Sequence, residues 1–122
     1  MMQRYVIDSS VFNKLFLDEA GRDKAQQLFV QAAAGQVMLF APDLLYLEVI
    51  NTAQRCGVPL DGVVELLEAQ KYLLEMRPSS DAERKKALQI IMQGHEKSGY
   101  PSIYDALFHA MALCNNAIFV TA

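Results

Sequence analysis

Three carboxylates stand where apolar surroundings disfavour them. Asp8 ends a short apolar run, Glu48 interrupts an apolar helical face, and Asp105 opens an apolar segment. An ionised carboxylate leaves water only when it is paired or ligated, because desolvation outweighs most of what packing returns. None of the three has an Arg or Lys as an immediate neighbour. If they converge, their mutual repulsion calls for a divalent cation, and all-oxygen ligation suits Mg²⁺ or Mn²⁺ rather than Zn²⁺. Each acid also has a local structural use. Asp8 can cap the helix that follows it. Glu48 can point outward at a helix margin. Asp105 can serve as the acidic half of a capping box begun by Ser102. The case for chemistry therefore rests on the conjunction of the three.

The elements that must position them follow from periodicity. Tyr5-Val6-Ile7 is a short apolar run of the kind that forms a strand buried on both faces. In open parallel sheets, ligands bind beyond the carboxyl ends of such strands, which is where Asp8 falls. Ser9 and Ser10 can cap a helix predicted over about Ser10 to Leu17. Asp18, Glu19 and Gly21 break it, and a second helix is predicted from Arg22 to Ala34, stopped by Gly35. Val37 to Phe40 reads as a second buried strand. Pro42-Asp43 opens a helix that carries Glu48 and ends at Gly57. Another helix runs from Pro59 to about Ala69, and Leu73 to Arg77 is a third strand stopped by Pro78.

Ser80-x-x-Glu83 has capping-box form and begins a long helix predicted to reach Lys97. Gly99-Tyr100-Pro101 is a turn. The segment from Ala106 to Cys114 is apolar nearly all round and is expected to be the most buried helix. Asn115-Asn116 closes it, and Ala117 to Thr121 is a last buried strand. Strands alternate with helices throughout, which predicts an α/β fold with a parallel sheet and right-handed crossovers.

The 122 residues suit one domain spanning 1–122, and 52% hydrophobic content supports a full core. The net charge of -3 argues against a strongly basic nucleic-acid face, although a metal ion can supply positive charge locally. No apolar stretch is long enough to span a membrane, and the N-terminal run is too short for a signal peptide. Cys56 and Cys114 lack metal or redox spacing and are read as reduced core cysteines of a cytoplasmic protein.

Four blocks carry a family resemblance: Tyr5-Val-Ile-Asp8-Ser-Ser-Val-Phe12, Ala41-Pro-Asp-Leu-Leu-Tyr-Leu-Glu48-Val-Ile-Asn51, Ser102-Ile-Tyr-Asp105-Ala-Leu-Phe-His-Ala-Met-Ala-Leu113 and Phe119-Val-Thr-Ala122. Together they resemble PIN domains, and among these the toxin ribonucleases of VapBC toxin–antitoxin systems. The resemblance implies a three-layer α/β/α sandwich and RNA cleavage at a Mg²⁺ or Mn²⁺ site. Asp8, Glu48 and Asp105 would be its acids, with Asp8 and Asp105 holding the metal and Glu48 ligating through water or orienting the nucleophile. It also implies a homodimer and an antitoxin peptide as partners. Ser9, Ser10 or Thr121 can hydrogen-bond a ligating carboxylate. Asn51 is a weak candidate, and His109 is assigned to packing or a hydrogen bond.

One departure is visible. The family usually carries a further Asp just after the segment matching Val120-Thr121-Ala122, then a last strand and helix, and this sequence stops at Ala122. The alternative function is therefore a PIN-like interaction module with little catalysis. Other α/β readings fit less well. A phospho-receiver wants an acidic pair after the first strand, and a haloacid-dehalogenase phosphatase wants Asp rather than Ser10 two residues beyond Asp8.

Overall fold

The computed structural model describes residues 2–94 and 101–122. Its elements in chain order are β1 (Gln3–Ile7), α1 (Ser9–Asn13), α2 (Arg22–Ala33), β2 (Val37–Pro42), α3 (Leu44–Arg55), α4 (Leu60–Gln70), β3 (Leu74–Arg77), α5 (Asp81–Met92), α6 (Ile103–Cys114) and β4 (Ile118–Val120). The four strands lie in the order β3-β2-β1-β4 and every pair is parallel. Successive strand residues point to opposite faces, so burial of neighbours reports on both layers. Val6 and Ile7 in β1 are both fully buried, as are Phe40 and Ala41 in β2. Helices therefore cover both faces, and the expected three-layer α/β/α sandwich is the architecture.

The strand order positions the site. From β1 the chain moves to β2 and then β3, and afterwards returns to the far side of β1 as β4. The carboxyl ends of β1 and β4 thus flank a topological switch point, the crevice where open parallel sheets bind ligands. Helix α6 packs on β1, β4 and β2, while α3 packs on α1, β2 and β3. These contacts bring the starts of α1 and α6 and the middle of α3 to that one edge.

Several expectations need correction. The first helix ends at Asn13 rather than Leu17. The N–H groups of Lys14, Leu15 and Phe16 bond back three residues, so the chain tightens into successive turns while Leu15 and Phe16 still reach the core. Pro42 is the last residue of β2, where its missing N–H is tolerated, and α3 starts only at Leu44. Helix α5 ends at Met92, not Lys97, with the Gln93 N–H donating to the carbonyls of Gln89 and Ile91. The predicted turn at Gly99-Tyr100 lies outside the described residues.

Helix α6 has five buried residues, and no other described helix has more than three, yet it is not buried all round. Tyr104, Asp105, His109 and Leu113 are exposed along its other side. Strand β4 is an edge strand, so Ile118 is 48% exposed and the strand is only half-buried. Cys56 and Cys114 are free and exposed rather than in the core. Asn116, after the C-cap Asn115, adopts φ 51°, a left-handed conformation that Asn tolerates.

Candidate active site at the carboxyl edge of the sheet

Asp8 is held from four directions. Its N–H donates to the Val120 carbonyl (3.3 Å), which fastens the end of β1 to the end of β4. Its Oδ1 accepts from the Val11 N–H (3.3 Å) and from the Ser10 hydroxyl. Its Oδ2 accepts from the Thr121 hydroxyl at 2.5 Å. The Ala122 N–H donates in turn to Ser10 Oγ (3.0 Å). Asp8 is itself the N-cap of α1, so Ser9 and Ser10 do not cap that helix; they occupy its first turn. The expected support of Asp8 by Ser10 and Thr121 is present, and capping and cleft-facing placement coexist in one residue.

Glu48 sits between Leu45 and Val49 in sequence, both fully buried, on the helix face turned to the sheet. Its carboxyl is half-buried, and its pKa is raised above the ordinary 4.5. Burial is the main cause. The Ser9 hydroxyl beside it pulls the pKa down, and the charges of Asp105 and Asp8 push it up again. Glu48 is therefore close enough to Asp105 and Asp8 to feel their charges. Asp105 lies in the first turn of α6, where its N–H donates to the Ser102 hydroxyl (3.1 Å), so half of the anticipated capping box forms. Its carboxylate is left to the cleft.

All three acids line one open cleft of about 390 Å³, together with Ser9, Thr121 and His109. Asn51, one turn beyond Glu48, is exposed and does not line it. The His109 ring is stacked on Phe119, with centroids 5.6 Å apart and planes at 15°. The packing role assigned to His109 is thus correct, but the ring also forms part of the cleft wall. Phe119 and Ile90 belong to that wall as well. Nothing in their sequence context separates them from core residues, because the wall exists only once α5, α6 and β4 are side by side.

The donor chemistry suits a hard divalent cation: oxygen ligands, net negative charge, and a Glu48 carboxyl that burial first, and then its two acidic neighbours, push toward its neutral form. Among the described residues, however, no group of three or more His, Cys, Asp or Glu side chains is drawn together tightly enough to hold a metal ion. The acids share a cleft without closing on a common point.

Fold and site together define a parallel α/β/α domain with an acidic cleft at the switch point of its sheet. The PIN domain family model matches residues 5–122, and the chain belongs to that family. In structure it is similar to Mycobacterium tuberculosis VapC20, described as a Sarcin-Ricin loop cleaving toxin. The TM-score is 0.72 at 15% sequence identity, over 93% of this chain and 84% of that one. At that identity the likeness is one of fold. No curated protein matches the sequence. No helix among the described residues is long and apolar enough to cross a membrane.

Proposed function

We propose that this PIN domain is a metal-dependent endoribonuclease, the toxin of a toxin–antitoxin pair acting in the cytoplasm. The observation that carries the reading is the arrival of Asp8, Glu48 and Asp105, from three separate elements, on one cleft at the switch point. Packing alone gives no reason to gather three carboxylates in one cleft, where Glu48 feels the charges of the other two. The fold likeness to a toxin that cleaves an RNA loop supports RNA as the substrate class. From the resemblance of its sequence blocks to VapBC toxins, an antitoxin peptide and a second copy of the chain are the proposed partners.

Asp8 and Asp105 would hold a Mg²⁺ or Mn²⁺ ion. When bound, the ion supplies a positive charge against the scissile phosphate and lowers the pKa of a water molecule toward neutrality. Thr121 and Ser10 keep the Asp8 carboxylate oriented, as partners of metal ligands do. Glu48 would orient the attacking water and accept its proton; its raised pKa, due to burial first and then to its acidic neighbours, supports this role.

The test is cleavage of a mixed RNA pool by the purified chain with Mg²⁺, with Mn²⁺ and with EDTA, beside Asp8→Asn. Cleavage that needs both the ion and Asp8 is expected. A second reading, a PIN-like interaction module with little catalysis, draws on the acids that share a cleft without closing into a metal-holding group. It prevails if the chain binds no Mn²⁺ at millimolar concentration and leaves RNA intact.

A further inference from the structure

The acidic cleft has an aromatic wall that metal chemistry does not call for. His109 lies one helical turn after Asp105, so the two project from the same side of α6. Its ring is exposed to solvent, while the Phe119 ring behind it is half-buried on β4. The two rings are stacked nearly parallel, 5.6 Å apart, in the offset range that aromatic pairs favour. Phe119 thus covers one face of the imidazole, and both residues line the cleft. A core histidine would be hidden; this one is exposed and lines the same cleft as the three acids.

We propose that the His109–Phe119 stack is a platform for one unpaired nucleobase of the RNA, next to the phosphate that a divalent ion held by the acids of the cleft would engage. The inference rests on the ribonuclease reading of the cleft and adds a specificity element to it. Proteins recognise single-stranded RNA largely by stacking splayed bases on aromatic or imidazole rings, and such stacking tolerates any base. A base stacked on His109 extends the pile of rings by one, while its own phosphate lies about one helical turn away toward Asp105. The net negative charge of the chain makes this contact valuable, because 14 acidic residues outnumber the 11 Lys and Arg that could grip the backbone. The substrate would be RNA with at least one flipped or single-stranded nucleotide.

The experiment compares AMP with ribose 5-phosphate, which keeps the phosphate and sugar and lacks the base. Binding is followed by NMR with Mg²⁺ present, using the whole chain and its His109→Ala and His109→Phe variants. The His109 ring signals are readily assigned, since the chain has two histidines. AMP is expected to bind roughly five- to a hundredfold more tightly than ribose 5-phosphate. It should also move the His109 ring protons upfield. His109→Ala should lose the preference, and His109→Phe should keep it. Thermal unfolding of both variants checks that the fold is intact. Equal affinities, no binding of either ligand, or a preference that survives His109→Ala would each overturn the platform. The RNA-pool assay judges the ribonuclease reading separately. Metal-dependent cleavage without base preference removes only the platform, and base preference without cleavage removes only the nuclease.

Discussion

Two glutamates in this protein are shielded from water in opposite ways. Glu83, at the start of α5, is only 5% exposed. Its Oε1 accepts from the Ser80 N–H (2.8 Å), completing a capping box, and its Oε2 accepts from the Asn115 side-chain amide (2.7 Å). Asn115 also donates to the Met111 carbonyl, and its own carbonyl accepts from Arg4 (3.0 Å). This network ties α5, the end of α6 and the start of β1 together. Glu48 is less deeply buried but faces two other carboxylates across a cleft. One acid is surrounded by the donors that it needs; the other has the Ser9 hydroxyl beside it but also two like charges. Burial alone therefore says little about purpose. The sign and kind of a carboxylate's partners separate a structural acid from one kept for chemistry.

The largest expected effect lies on the chemical side of this contrast. Asp8→Asn should reduce RNA cleavage by more than about a hundredfold, beyond the range seen when only a partner of a metal ligand is lost. Asn caps helices about as well as Asp, so the melting temperature should barely move. A large fall in stability in this variant would show that Asp8 is chiefly a cap. Glu83→Ala should do the reverse. It strands the Ser80 N–H and the Asn115 amide, and urea unfolding should register a loss of about 2–3 kcal/mol. Cleavage per folded molecule should be unchanged, and a matching loss of activity would erase the distinction between the two glutamates.

Much of this was legible in the sequence, for identifiable reasons. Short apolar runs at Tyr5–Ile7 and Val37–Phe40, and the segment stopped by Pro78, marked strands, and the alternation of strands with helices pointed to the fold class. The three acids stood out because they break apolar stretches. What periodicity does not reveal is which surface another element covers. Residues 106–114 are apolar nearly all round, yet α5 and the sheet cover one side only, and His109 is left exposed. Strand β4 looked buried because its edge position depends on strand order, a long-range property. The stack of His109 on Phe119 joins residues from two elements and was invisible for the same reason. Asp8 serving as both cap and cleft acid was missed because the two uses were set against each other.

A finer comparison concerns the supports of Asp8. The Thr121 hydroxyl holds Oδ2, whereas Ser10 and the Val11 N–H share Oδ1. Thr121→Val keeps the shape and removes the donor to Oδ2. Cleavage should fall by about tenfold, with weaker Mn²⁺ binding, as for loss of one partner of a metal ligand. Ser10→Ala should cost less, because the Val11 N–H still engages the same oxygen. If the two substitutions proved equal, the carboxylate would be oriented by the helix terminus rather than by its hydroxyl partners.

The smallest expected effect is the most discriminating, because its sign is unusual. Glu48 has a folded-state pKa above its ordinary value, so the folded protein binds its proton more tightly than the unfolded chain does. The stability tied to that proton is fully present below the unfolded pKa and is lost as pH rises through the folded one. At neutral pH the ionised Glu48 therefore weakens the fold. Glu48→Gln should stabilise the metal-free protein by under about 1 kcal/mol, a bound set by solvent screening of a half-exposed group. The gain should shrink as pH falls through the carboxylate range, because wild-type Glu48 then becomes neutral too. The same substitution should depress cleavage, so that stability and activity move in opposite directions, as expected where a site holds groups the fold would rather exclude. Applied to Glu83, the corresponding Gln should lower stability, since its amide would point a donor at a donor. A Glu48→Gln variant that lost stability at neutral pH would mean that Glu48 is a second structural acid, and the contrast between the two glutamates would collapse.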